Sequence, residues 1–242
     1  MAVSIKSARE IELMREAGKR LAHVHQELEA MIAPGISTWE IDAKGEKLIR
    51  DCGCIPNFLH YNGYPASICV SVNDEVVHGI PRKDRYLKEG DIVSLDAGLI
   101  YKGYHSDAAR THAVGKVSTE AQKLMDVTKQ SFFEGIKMAK EGQHLHDISR
   151  AIEEYVTPYG YGIVRDLVGH GIGTALHEDP QIPNYAQKRR GVRLQAGMTL
   201  AIEPMINAGT WQVRFLRDGW TVVTKDGSLS AHYENTILVT DG

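Results

Sequence analysis

Two stretches of this sequence resemble each other at a constant spacing, and that repeat constrains the fold more than any other feature. Gly35 and Ile41 recur as Gly142 and Ile148, and GDIVSLD (90–96) recurs as GMTLAIE (197–203), each 107 positions downstream. Ahead of the first copy, Ile11, Met14, Ala17, Leu21, Val24 and Leu28 return at three- and four-residue steps. This predicts one amphipathic helix from Ser7 to Met31, and Ser7 with Glu10 has the form of a capping box. A second helix is expected from about Thr38, capped by Ser37 or Thr38 and ended near Gly53. The downstream half repeats the plan, with a long helix from about Thr119, a break at Gly142 and a shorter helix up to Pro158. Two such α-α-β halves predict an α+β fold, pseudo-twofold related around a central antiparallel sheet. No linker rich in Pro, Gly or Ser parts them, so a single domain over residues 1–242 is expected, with halves of roughly 7–114 and 119–242.

The second half carries extra residues around WQVRFLRDGWTVVTKDG (211–227). Beyond them HSDAARTHAV (105–114) finds its counterpart in HYENTILVT (232–240). Four scattered carboxylates thereby become two matched pairs, Asp96 with Glu203 and Asp107 with Glu234. The first pair member lies in an apolar, β-prone run and Asp107 in a second one, joined to it by a turn at Lys102-Gly103, which reads as a hairpin. An ionised carboxylate inside a sheet is costly without a positive partner, and four converging carboxylates repel one another. No Lys or Arg recurs at regular spacing in these four segments, so divalent cations are the economical counter-charge, and two of them would neutralise the set. His170, between Gly169, Gly171 and Gly173, sits where the backbone can approach a ligand closely. Taken alone it reads equally as a solvated loop histidine; beside the carboxylates it becomes the natural fifth ligand. Four oxygen-donor residues and one nitrogen suit two Mn, Fe or Co ions, with Zn also possible.

A formal charge of −3 leaves no basic footprint for DNA, and no segment approaches the length of apolar chain that spans a membrane. The three cysteines, Cys52, Cys54 and Cys69, do not form a disulfide framework. Cys52-Gly53-Cys54 is one residue short of a CxxC motif and reads as structural. With no signal-peptide pattern at the N-terminus, a soluble, cytoplasmic and monomeric protein is expected.

The stretches GHGIG (169–173), HEDP (177–180), AIEPM (201–205), the Asp96–Asp107 hairpin and YNGYPASICVSVNDEVVHGIP (61–81) together resemble the type I methionine aminopeptidases, metallopeptidases of the pita-bread fold. The resemblance covers essentially the whole chain, with several motifs in the same order. It implies that Asp96, Asp107, His170, Glu203 and Glu234 hold two metal ions, with Asp107 and Glu234 bridging the pair and His170 on one ion only. It also implies that His78 and His177 face the substrate, and that Tyr61, Tyr64, Cys69 and Trp220 line a methionine pocket, with Phe58 and Leu176 as neighbours. From the residues alone those aromatics would be ordinary core or hairpin residues, His78 could simply pack after an apolar strand, and Cys69 reads as a buried thiol without a paired base. The chain departs from the family at Asn235, where His is usual, and at Phe58, where some relatives carry Cys. The separation of Glu203 and Glu234 leaves room for a hairpin but not for the helical insertion of type II.

The resemblance further implies removal of the N-terminal methionine from peptides and nascent chains when the second residue is small. A water bridging the two ions would attack, with Glu203 as ligand and proton acceptor, His177 as oxyanion donor, and His78 at the nitrogen of the following residue. The basic run QKRRGVR (187–193) reads as a solvated loop that could touch ribosomal RNA transiently. His23, His25, His144 and His146 read as solvated. An Xaa-Pro peptidase of the same fold is the nearest alternative enzyme, and a metal-free binding module on the same scaffold is the alternative of another class.

Overall fold

The computed structural model describes residues 3–241. Helices α1 (Ala8–Glu29) and α2 (Thr38–Asp51) begin by the same device. Ser7 and Ser37 each accept from a backbone N–H three residues on, while Glu10 and Glu40 reach back to the cap N–H, satisfying donors that a helix start leaves free. Helices α3 (Thr119–Ile136) and α4 (Leu145–Val156) form the matching pair of the second half. The first half carries strands β1 (Ile55–Pro56), β2 (Ile68–Val72), β3 (Glu75–Val77), β4 (Ile92–Tyr101) and β5 (Tyr104–Ala113). The second carries β6 (Gly162–Ile163), β7 (Gly169–Gly171), β8 (Glu178–Ile182), β9 (Thr199–Ile202) and β10 (Met205–Asn207). It continues with β11 (Val213–Phe215), β12 (Val222–Thr224), β13 (Ser230–His232) and β14 (Glu234–Leu238).

The main sheet runs β1-β4-β5-β14-β9-β7-β8, with β2 also paired to β4, and every pairing in it is antiparallel. Its centre is the β5–β14 seam, where Ala109 faces Glu234 and Ala108 faces Asn235. The hydroxyl of Thr236 locks that seam by accepting from Asp107 N–H at 2.9 Å and donating to the Asp107 carbonyl at 3.0 Å. The repeat-related strands β4 and β9 flank the two central strands, so the sequence repeat appears as the pseudo-symmetry of the sheet.

Each half packs its helices on the same side of its strands and buries its own apolar set. Leu21, Val24, Leu28, Ile41 and Ile49 close on Ile68, Val93, Leu95 and Leu99 in one. Leu124, Phe132, Ile148 and Ile152 close on Leu200, Ile202 and Ile206 in the other. Each large aliphatic chain removed from water contributes roughly 1.5–3 kcal/mol. A third, smaller cluster (Met14, Phe58, Tyr64, Cys69, Ile172, Leu176 and Ala201) lies apart from these two and forms the apolar side of the site described below.

Several expectations shift. The first helix ends at Glu29, two residues early, and α3 ends at Ile136 rather than running to Gly142. The intervening loop bonds instead to distant chain, with Glu141 N–H on Thr240 and Gly142 N–H on Leu194. His170 lies on β7, not in a loop. His25 is buried rather than solvated, its Nε2 2.8 Å from the Ala108 carbonyl. Among the described residues no helix is long and apolar enough to cross a membrane.

Candidate active site

The four repeat-related carboxylates arrive on neighbouring strands: Asp96 on β4, Asp107 on β5, Glu234 on β14, and Glu203 immediately after β9. The Glu203 backbone is tied down by Asn184, whose Nδ2 donates to its carbonyl at 3.1 Å. His170 reaches the same point from β7 because glycines on either side let that strand lie close to its neighbours. A Cβ on Gly169 would sit 2.4 Å from the Ala201 carbonyl oxygen, and one on Gly171 2.2 Å from that of Asp179. The Nε2 of His170 lies 3.6 Å from Glu203 Oε1 and 3.9 Å from Asp107 Oδ2. Its Nδ1 lies 2.8 Å from the Gly171 carbonyl, so Nδ1 carries the proton and the Nε2 lone pair faces the carboxylates.

These close approaches are not ion pairs. Burial holds His170 down to about 4, with His177 adding to the effect, so its ring is neutral near pH 7. The carboxylates lack a protein cation as well. Burial lifts Asp96, Glu203 and Glu234 well above the ordinary range, and their mutual repulsion adds to it. Burial lifts Asp107 to about 7. Asp96 Oδ1, Asp107 Oδ1 and Glu234 Oε1 are buried with no hydrogen-bond partner. These four strands carry a single Lys or Arg and no regularly spaced set of them. Arg110 follows on β5, but it serves backbone and amide groups, donating to the Glu234 and Ala109 carbonyls and to Asn235 Oδ1. Asn235, the departure from the family pattern, thus lies behind Glu234 as an acceptor for that arginine.

Donor sets sufficient for cations are present. Asp107, His170 and Glu234 bring ligand atoms within 4.8 Å of one another, and so do Glu203, His232 and Glu234. The unpartnered oxygens, the neutral imidazole and the mutually repelling carboxylates fit divalent metal ions.

The carboxylates floor a cavity of about 260 Å³ whose walls are Phe58, Tyr61, Tyr64, Cys69, Leu176 and Trp220, with His78 and His177 at its sides. All thirteen site residues singled out in the sequence line this one cavity. Trp220 meets Tyr64 edge-on at 5.1 Å and His78 edge-on at 6.4 Å. The Tyr61 hydroxyl lies 2.7 Å from His177 Nδ1, and the His177 ring lies 4.3 Å from that of His170. Burial lowers His177 and brings His78 down to about 4, so both are neutral near pH 7. Burial also raises the Cys69 thiol well above its usual range, which removes it as a nucleophile.

Two residues at the site went unnoticed in the sequence. Asn62 joins the lining. His232, two positions before Glu234 and so on the same face of the chain, approaches the cluster from β13. A signal existed, because His105 stands in the same place before Asp107 in the first half.

The model of metallopeptidase family M24 matches residues 12–241. A methionine aminopeptidase of Clostridium acetobutylicum is 53% identical over 239 residues, 99% of this chain and 96% of that protein. Methionine aminopeptidase 1 of Bacillus subtilis is 52% identical, over 98% of this chain and 95% of its own length. The crystal structure of the Thermotoga maritima methionine aminopeptidase superposes with a TM-score of 0.97 at 46% identity, covering 100% of this chain and 97% of that one. The fold is therefore the pita-bread fold, and the chain belongs to metallopeptidase family M24, among its methionine aminopeptidases.

Proposed function

We propose that this chain removes the N-terminal methionine of peptides and nascent proteins whose second residue is small, using two divalent cations held by Asp96, Asp107, His170, Glu203 and Glu234. The observation that carries the reading is a group of four carboxylates without a protein counter-ion, three of them with buried unpartnered oxygens, at the floor of an apolar cavity. Mn, Fe, Co and Zn all suit such donors. When bound, the cations supply Lewis acidity, which makes water nucleophilic at neutral pH and draws charge from the scissile carbonyl.

The protein's own groups divide the remaining work. Phe58, Tyr64, Cys69 and Trp220 receive the methionine side chain, which is unbranched and adapts to an aromatic-walled slot. The carboxylate floor anchors the free α-amine, which restricts cleavage to the first peptide bond. Glu203 accepts the proton of the attacking water and returns it to the leaving amine. The Tyr61 hydroxyl donates to His177 Nδ1, which leaves the proton of that ring on Nε2, available to the oxyanion. His78 meets the nitrogen of the second residue, and with His177 it crowds the position where a bulky second side chain would lie. The chain is read as one catalytic domain acting as a monomer in the cytoplasm, in keeping with three free cysteines. In the basic run, Arg190 is already paired with Asp147 at 2.6 Å, which leaves the exposed Lys188, Arg189 and Arg193 for a transient ribosome contact.

The test is release of the free N-terminal amino acid from Met-Ala-Ser, Met-Leu-Ser and Leu-Ala-Ser, with Ala-Pro peptides alongside, before and after chelation. Metal-dependent cleavage of Met-Ala-Ser alone is expected. Equal kcat/KM for Met-Ala-Ser and Met-Leu-Ser overturns the small-residue rule, and cleavage of Ala-Pro peptides favours the Xaa-Pro alternative. Full activity after confirmed metal removal overturns the metal mechanism.

A further inference from the structure

His232 is 1% exposed, and neither of its ring nitrogens has a hydrogen-bond partner. Such a side chain is costly to bury unless something outside the protein satisfies it. Its Nε2 lies 3.8 Å from Glu203 Oε2 and 3.9 Å from Glu234 Oε2. Both separations exceed a hydrogen bond. They match the 3.6 and 3.9 Å that separate His170 Nε2 from its own two carboxylates. Ligand atoms about 2.0–2.2 Å from one first-row cation can be at most about 4.4 Å apart, so donors at these spacings can share an ion.

The ring is also fixed in place. His232 pairs with Met205 across β10 and β13, its N–H donates to Thr111 Oγ1 at 2.9 Å, and its carbonyl accepts from the same hydroxyl at 2.9 Å. Glu234 belongs to both donor sets, the one with His170 and the one with His232.

We infer that His232 is a sixth metal ligand, giving its Nε2 to the second of the two cations across Glu234 from His170. Each cation would then carry one imidazole, with Glu234 common to the two donor sets. Glu203 Oε2 faces His232 Nε2 at 3.8 Å, while its Oε1 faces His170 Nε2 at 3.6 Å. This rests on the two-cation reading above and adds to it a donor outside the five residues named there. An added nitrogen favours Co and Fe over Mn, since imidazole suits the former and carboxylate the latter.

The experiment titrates metal-free full-length protein with Co²⁺ and with Mn²⁺ by calorimetry, for the wild type, His232→Gln and His232→Ala. Nitrogen coupling to bound Mn²⁺ is read by pulsed electron paramagnetic resonance on the same samples. In both variants one of the two cations should lose about tenfold or more in affinity, as even outer partners of metal ligands do. Co²⁺ should lose more than Mn²⁺, and one nitrogen coupling should disappear. Unchanged affinities overturn the inference. So does a uniform loss for both metals with nitrogen coupling intact, which marks a packing role. Fewer than two cations bound by the wild type fails the two-cation reading itself, a separate result. Melting curves of each variant check that it folds, and a nitrogen coupling compared between His170→Ala and the double variant with His232→Gln gives the same answer if either single His232 variant does not.

Discussion

Replacing Asp107 by asparagine should stabilise the metal-free protein and destabilise the metal-loaded one. In the folded chain burial raises the Asp107 carboxyl from 3.8 to about 7, whereas the unfolded chain keeps it near the lower value. A carboxyl whose folded pKa is raised costs nothing while both states are protonated. Its cost grows as pH rises through the window from about 4 to about 7, and it is constant above that. Three pKa units at about 1.4 kcal/mol each make the full cost on the order of 4 kcal/mol. Asparagine has nearly the same shape, cannot ionise and keeps an oxygen for the Ala108 N–H, while Asp107 Oδ1 has no partner to lose. In chelator at pH 7.5 the variant should therefore melt higher than the wild type by about 10 °C, at about 2–4 °C per kcal/mol for a chain of this length. At pH 5 the gap should shrink by roughly 3 kcal/mol. The buried histidines, His25, His78, His170 and His232, have lowered pKa values and make acid unfavourable, but both proteins carry them and their effect cancels. With saturating Mn²⁺ the order should invert, because the wild type gains binding energy that the variant, short of a ligand, does not. Differential scanning fluorimetry across this pH range, with and without metal, is the assay. A variant that melts at or below the wild type in chelator, or a gap independent of pH, refutes the claim that uncompensated charge is what the cations neutralise.

Two other substitutions probe the pocket and its scaffold. His177→Ala should keep both cations, by elemental analysis, and lower kcat by about 10²–10³-fold, as loss of an oxyanion donor does; release of metal would make His177 a ligand instead. Gly171→Ala places a Cβ 2.2 Å from the Asp179 carbonyl oxygen, so it should cost roughly 1–3 kcal/mol and weaken cation binding as His170 moves. Unchanged melting and affinity would show that the β7–β8 contact can open freely.

The repeat made the carboxylate floor legible because each carboxylate has a partner at a fixed spacing, and a sheet turns spacing into position. Helix starts were equally readable, since Ser7 with Glu10 and Ser37 with Glu40 carry their capping chemistry within four residues. Helix ends were not. Where α3 stops depends on bonds from Glu141 to Thr240 and from Gly142 to Leu194, partners far off in sequence. His25 failed for a related reason: its acceptor is the carbonyl of Ala108, on the strand its helix covers. His232 was overlooked although His105 occupies the matching place, because its meaning comes from Glu203, which only the folded sheet brings near.

The residues around the proposed methionine slot are of another kind, and the symmetry of the fold explains why. The symmetric core of the sheet can present only symmetric chemistry, here two carboxylates from each half. A peptide is not symmetric, so its recognition must come from segments present once. Trp220 is one such residue. It lies between β11 and β12, in the stretch that has no counterpart in the first half, and that hairpin is fastened to the site through β3, where Val222 pairs with Val77. The same pairing places Trp220 beside His78, whose backbone turns at φ 58° directly after β3. His177 is another, held by Tyr61 from a single-copy turn. Periodicity finds what the halves share, so it finds the four carboxylates proposed to hold the cations. The residues proposed to select the substrate emerge only from pairing between unrelated segments, and the resemblance to a family, not the pattern of this chain, is what brought them into view.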